Sequence, residues 1–289
     1  MPAREIRRIG VIGCGLMGSG IAEAASRADL DVSVVESNQA ALDAGIRRVA
    51  SSFRRAVKAS KLAELEAEAA LNRMQFSTDI ESVADADLVI EAVVESEAEK
   101  IEIFAALDHV VSSPDAILAS NTSSIPIMKL AMATSRPSQV VGIHFFNPVP
   151  VLPLVELVTS LLTDEETVET ARHFASDQLG KHVIQSKDRA GFIVNALLIP
   201  YVLSAIRMLE SGFATAEDID AGMVKGCAHP MGPLALADLI GLDTMIAVAS
   251  SLYEEFKEPL FAAPPLLARM ADAGLMGRKS GRGFYLYDR

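Results

Sequence analysis

Between Val11 and Gly20 the chain reads VIGCGLMGSG, which sets Gly13, Gly15 and Gly18 in the order G-x-G-x-x-G. The apolar run ahead of it, RIGVIG (Arg8 to Gly13), reads as a buried strand. The segment behind it, Leu16 to Ala28, reads as a helix. That order constrains the fold strongly. Gly13 permits a tight strand-to-helix turn, Gly15 lets backbone approach a pyrophosphate, and Gly18 lets the helix pack on the strand. The N–H groups of Leu16 and Met17 at the helix start face the phosphates.

The strand that follows, DVSVVE (Asp31 to Glu36), ends in an acid 18 residues after Gly18. A carboxylate there accepts the ribose hydroxyls and repels a 2′-phosphate, so Glu36 points to NAD rather than NADP. Cys14 reads as an inert small residue of the loop. Further strands are expected at DLVIEAV (Asp87 to Val93), AILAS (Ala116 to Ser120) and VVGIHF (Val140 to Phe145), with helical stretches such as Ala98 to Val110 between them. This alternation predicts an α/β fold, a Rossmann-type doubly wound sheet. After KHVIQS (Lys181 to Ser186) the pattern turns helical up to Gly274. The expected organisation is a nucleotide domain over 1–187 and an all-helical domain over 188–289.

The chain of 289 residues carries a net charge of −12, which argues against nucleic acid and anionic membranes as general partners. The longest apolar stretch, Phe192 to Ile206, is broken by Asn195 and Pro200 and is too short to span a bilayer. Arg4, Arg7 and Arg8 precede an apolar run that glycines interrupt at once, so no signal peptide is expected. Two distant cysteines, Cys14 and Cys227, fit a reduced, cytoplasmic protein without a metal site.

The segment GIHFFNPVPVLPLVELV (Gly142 to Val158) is nearly all apolar, yet holds His144 and Glu156. Burying a lone carboxylate there is costly unless it is paired. Two adjacent strands would set Glu156 beside the imidazole, fix its tautomer and stabilise the imidazolium, while the other ring nitrogen handles proton transfer.

Together with SNTSS (Ser120 to Ser124), HFFNPV (His144 to Val149), DRAGFIVN (Asp188 to Asn195), HPMGP (His229 to Pro233) and GRKSGRGFY (Gly277 to Tyr285), these residues resemble the short-chain L-3-hydroxyacyl-CoA dehydrogenases. The likeness covers nearly the whole chain and is close enough to point to the family's bacterial 3-hydroxybutyryl-CoA members. It implies an (S)-3-hydroxyacyl-CoA substrate, His144 as acid/base, Glu156 as its orienting partner and Ser123 as donor to the reacting oxygen. Asn195 would position the acyl group, although it could equally cap a helix. Glu95, Lys100, Ser123 and Asn147 match positions that contact the NAD ribose and nicotinamide. Ala196 stands where the family often has arginine, so no contact of that arginine is expected here.

Arg47, Arg54, Lys58 and Lys61 recur on one face of an expected helix, flanked by Arg48 and Arg55. On pattern alone this reads as a solvated face ahead of a binding site. The resemblance turns the reading toward CoA phosphates, with Ser52, Arg54, Lys58 and Lys61 as contacts. The helical half is rich in apolar residues, notably Phe192 to Ile206 and Leu234 to Ile240, and is expected to form a homodimer interface. A related gulonate-type sugar-acid dehydrogenase would share the His–Glu site and differ in needing no CoA. A lysine-based hydroxyacid dehydrogenase would need a glycine-rich helix start with its lysine after residue 150, and none is seen.

Overall fold

The structure, a computed structural model, describes residues 4–287. In chain order the sheet-bearing part contains β1 (Arg8–Ile12), α1 (Leu16–Arg27), β2 (Asp31–Val35), α2 (Gln39–Lys58), α3 (Glu64–Asn72), β3 (Met74–Ser77), β4 (Leu88–Glu91) and α4 (Glu97–Val110). It continues with β5 (Ile117–Ser120), α5 (Ile127–Ala131), β6 (Val140–Phe145), β7 (Leu154–Thr159), α6 (Glu165–His173) and β8 (His182–Lys187). The strand order is β3-β2-β1-β4-β5-β6-β7-β8. Every neighbouring pair is parallel except β6–β7, which is antiparallel.

The central strands β4, β5 and β6 are buried at every residue, as helices on both faces require. Ile9, Val11, Ile90 and Phe145 from the sheet pack with Ile21 of α1 and Phe53 of α2 in one core. The order reverses between β1 and β4, which makes a crevice at the carboxyl ends of those strands. The edge strand β3, sequence MQFS, is too short and polar to show a strand pattern, and was not foreseen. It exists by pairing with β2.

The compact units divide between Arg189 and Ala190, two residues beyond the expected 187/188 boundary. The reason lies in Asp188, whose carboxylate accepts the Ile127 and Met128 N–H groups, both at 2.8 Å, at the start of α5. That contact ties Asp188 to the sheet-bearing unit.

The second unit holds α7 (Val194–Glu210), α8 (Ala216–Gly226), α9 (Pro233–Ile240), α10 (Leu242–Phe256) and α11 (Pro265–Asp272). Its core gathers Leu203, Ile206, Leu234, Leu242, Leu252 and Leu267. Much of the apolar run Phe192 to Ile206 is therefore spent inside this unit, whereas Leu197 and Leu239 are exposed. Buried Asp238 accepts the N–H groups of Phe284 and Tyr285, both at 2.9 Å, and the Tyr287 hydroxyl at 3.0 Å. The GRKSGRGFY tail is thus a strap held by Asp238, with Asp220 accepting the Tyr285 hydroxyl at 2.9 Å and Asp243 pairing with Lys279.

Asp238→Ala should strand those donors and cost about 1–3 kcal/mol, read by urea unfolding. Residues 277–287 should lose hydrogen-exchange protection first.

Candidate functional site at the carboxyl edge of the sheet

β1, β4, β5 and β6 run parallel, so their carboxyl ends share one edge. Gly13, Glu95, Ser123 and His144 end or follow these strands at that edge.

After β1 the chain turns at Gly13, whose φ of +91° favours glycine. A Cβ on Gly18 would sit 1.9 Å from the Gly13 carbonyl oxygen, so α1 can approach the turn only with glycine there. Gly15 is the N-cap of α1 and supplies no side-chain cap, and a Cβ built on it meets nothing within 4 Å. The first N–H groups of α1, including those of Leu16 and Met17, therefore border open space of the kind a pyrophosphate fills. A dinucleotide fits this cradle. Glu36 lies beside it. Its carboxylate accepts the Cys14 N–H at 2.6 Å and the Ser37 N–H at 3.1 Å. A carboxylate has about four acceptor sites, so capacity remains for ribose hydroxyls.

Arg48 of α2 reaches the same loop and donates to the Cys14 carbonyl at 2.6 Å. The sequence reading placed it only as a flank of the basic face. Cys14 is buried, and its thiol is pushed up to about 11 by burial first and then by the Glu36 charge, against the opposing pull of Arg48. At neutral pH it is a protonated thiol.

On β6 and β7, His144 and Glu156 are direct cross-strand partners. Strand parity puts both side chains on one face, and His144 Nδ1 lies 2.7 Å from Glu156 Oε2. His144 is 6% exposed and Glu156 is fully buried. The Phe146 ring packs 4.6 Å from the imidazole centroid. The turn between the strands is pinned by Lys181, whose ammonium donates to the carbonyls of Val149 and Leu152 at 2.7 and 2.9 Å. The apolar run tolerates Glu156 because the register delivers His144 to it.

Four residues beyond β4 and three beyond β5, Glu95 meets Ser123. One Glu95 oxygen accepts the Ser123 N–H at 3.0 Å, the Thr122 hydroxyl at 2.5 Å and the Ser124 hydroxyl at 3.1 Å. Burial alone would raise the Glu95 carboxyl. The Lys100 ammonium and these hydrogen bonds outweigh it and hold the group below the usual carboxylate range. The anchoring is therefore present above that range and is lost as pH falls through the depressed value.

Lys100, expected to touch cofactor, is 1% exposed, and its ammonium lies 2.5 Å from Glu91 Oε1. Glu91 was missed by the sequence reading. The signal was available, since it is a lone carboxylate in the apolar run LVIE, the same feature that marked Glu156. Asn121 was missed too, and its side-chain oxygen accepts the Phe145 N–H at 2.9 Å beside the histidine strand. Asn147 is exposed just past β6.

Asn195 lies in the second unit at the second position of α7, and Ile193 holds the N-cap. Capping is therefore not its role. Arg47, Arg54 and Lys58 are exposed on one face of α2, and Ser52 is half-buried. Lys61 is a correction. The helix ends at Lys58, and Ser60 turns the chain with φ of +56°, so Lys61 does not continue that face.

Residues 8–189 match the NAD-binding domain of 3-hydroxyacyl-CoA dehydrogenase, and residues 191–287 match its C-terminal domain. The chain is 59% identical over 282 residues to a 3-hydroxybutyryl-CoA dehydrogenase of Mycobacterium tuberculosis, covering 98% of this chain and 99% of that one. The crystal structure of FadB2 from M. tuberculosis superposes with a TM-score of 0.98 at 58% identity, over 99% of this chain and 100% of that one. PaaH1 of Ralstonia eutropha, an (S)-3-hydroxybutyryl-CoA dehydrogenase, gives a TM-score of 0.92 at 46% identity, over 99% of this chain and 100% of that one. With a glycine cradle that fits NAD and both domains matched in order, the chain belongs to the 3-hydroxyacyl-CoA dehydrogenase family.

Proposed function

We propose that the protein catalyses the reversible NAD-dependent oxidation of (S)-3-hydroxyacyl-CoA, 3-hydroxybutyryl-CoA foremost, to the 3-ketoacyl-CoA. The observation that carries this reading is the His144–Glu156 pair, buried at the carboxyl edge of a dinucleotide-binding sheet.

Oxidising a secondary alcohol requires removal of the O–H proton and of a hydride from the same carbon. The chemistry that NAD supplies when bound is acceptance of that hydride. His144 takes the hydroxyl proton through the ring nitrogen not engaged by Glu156. Glu156 holds Nδ1, fixes the tautomer and stabilises the imidazolium as the proton arrives. In the reverse direction the same imidazolium returns the proton to the carbonyl oxygen. Ser123 donates to that oxygen, where negative charge develops. Asn195 positions the acyl group.

Gly13, Gly15 and Gly18 cradle the cofactor phosphates, and Glu36 receives the adenosine ribose. Glu95, Lys100 and Asn147 serve the nicotinamide half. The exposed arginines and lysine of α2, Arg47, Arg54 and Lys58, receive the CoA phosphates in a chain of net charge −12, with Ser52 beside them. This need for CoA separates the reading from a sugar-acid dehydrogenase. The helical unit serves as a homodimer interface, supported by exposed Leu197, Phe213 and Leu239. The reaction runs in the cytoplasm, a reading supported by the two free cysteines, Cys14 and Cys227.

The first test is NADH oxidation with acetoacetyl-CoA, followed by absorbance. Wild type should turn over, and His144→Gln or Glu156→Gln should lose about 10²–10⁴-fold in kcat while still binding NADH. Near-normal turnover of His144→Gln would sink the assignment.

Glu36 predicts a lower KM for NADH than for NADPH, and Glu36→Ser should narrow the gap. Equal use of NADPH by the wild type would contradict its role.

Reversing Arg54 and Lys58 together to glutamate should raise KM for acetoacetyl-CoA several-fold at low salt, and the effect should shrink as salt rises. KM for NADH should stay constant. Unchanged acetoacetyl-CoA kinetics would make this face merely solvated.

A further inference from the structure

Glu91 closes β4 with its carboxylate fully buried, and three donors converge on it. Oε1 accepts from the Lys100 ammonium at 2.5 Å and the Val93 N–H at 2.7 Å, and Oε2 accepts from the Ser120 hydroxyl at 2.7 Å. Glu91 and Ser120 are register partners on β4 and β5, so the sheet itself sets that last contact.

Lys100 stands between two carboxylates. Its ammonium is 2.5 Å from buried Glu91 and 3.4 Å from Glu95, which is 33% exposed. The ammonium is satisfied mainly from the buried side, and Glu95 keeps its other oxygen for Thr122, Ser123 and Ser124. On the other branch, the Ser120 hydroxyl held by Glu91 accepts the Thr122 N–H at 3.1 Å. Both branches therefore run from Glu91 to the 122–124 turn, one through Lys100 and Glu95 and one through Ser120.

Without the Glu91 charge, a buried ammonium would keep, among the described residues, only Glu95 as its anion. Attraction in a poorly hydrated site would draw that carboxylate inward, away from the N–H and hydroxyl of Ser123. We propose that Glu91 is a positioning residue, which holds Lys100 and Ser120 so that Glu95 and Ser123 present a fixed geometry to the reactants. Glu91 touches neither substrate nor cofactor. The inference rests on the reading that Glu95 and Ser123 face them.

The test is Glu91→Gln in the full chain, which keeps the shape and removes the charge. A folded variant should bind NADH several-fold more weakly and lose roughly 10- to 100-fold in kcat with acetoacetyl-CoA, since small misplacements of reacting groups carry losses of that order. Because Glu91 acts through Ser123, the loss should largely vanish in a Ser123→Ala background. A role confined to stability predicts the opposite, a lowered Tm with normal kinetics of the folded protein. That outcome, or losses that simply multiply in the double variant, overturns the proposal. If Glu91→Gln does not fold, Glu91→Asp keeps the charge and withdraws it by one methylene, and it should give the same kinetic loss and the same dependence on Ser123. Failure of the functional reading looks different, because the wild type would then bind NADH without oxidising it on acetoacetyl-CoA. The Glu91 assignment is then judged on NADH affinity, where a weakened value supports it and an unchanged one overturns it.

Discussion

A carboxylate in an apolar interior needs a partner, and the antiparallel register of β6 on β7 supplies one by setting His144 opposite Glu156. The pair is 2.7 Å apart and almost wholly out of water. Removing either member would cost the other a short hydrogen bond where little water can replace it, about 1–3 kcal/mol. The single reversal of strand direction in the sheet is therefore where structure and chemistry meet. A parallel β7 would need a long crossover rather than the short proline-rich turn pinned by Lys181.

The same physics recurs elsewhere in each unit. Glu91 holds an ammonium and a hydroxyl. Asp188 holds two N–H groups at the start of α5, Asp220 holds two at the start of α9, and Asp238 holds the C-terminal strap. Glu91, Asp220 and Asp238 are buried and Asp188 is half-buried, and each acid gathers several donors and fixes a loop or helix end that apolar packing cannot orient. The hydrophobic core supplies most of the stability, and these carboxylates decide where the chain turns.

Much was legible beforehand, for reasons that can be named. The glycine turn is written locally, because Gly13 takes a φ of +91° and Gly18 must clear the Gly13 carbonyl five residues back. The buried strands β4, β5 and β6 announce themselves as unbroken apolar runs. Glu156 was marked as needing a partner by its surroundings alone. β3 escaped because an edge strand can be short and polar when its neighbour provides the pairing. Lys61 was misplaced because a helical period continues on paper past the point where Ser60 ends the helix. Arg48 looked like one more surface cation until its reach to the Cys14 carbonyl was seen.

By itself the sequence determined the doubly wound fold, the dinucleotide turn and the family, since these rest on spacings and on residue types forced by local sterics. It also determined that His144 and Glu156 belong together, because burial of a lone charge is prohibitive whatever the fold. Only the tertiary structure decided which strand face they share and which oxygen meets which nitrogen. The network from Glu91 through Lys100 to Ser123 was likewise beyond sequence reach. Its members lie on separate segments, 32 residues from first to last, and meet only because β4 and β5 pair in parallel with Glu91 opposite Ser120. Contacts of that kind depend on register and on desolvation in three dimensions, and neither is encoded in any one segment of the chain.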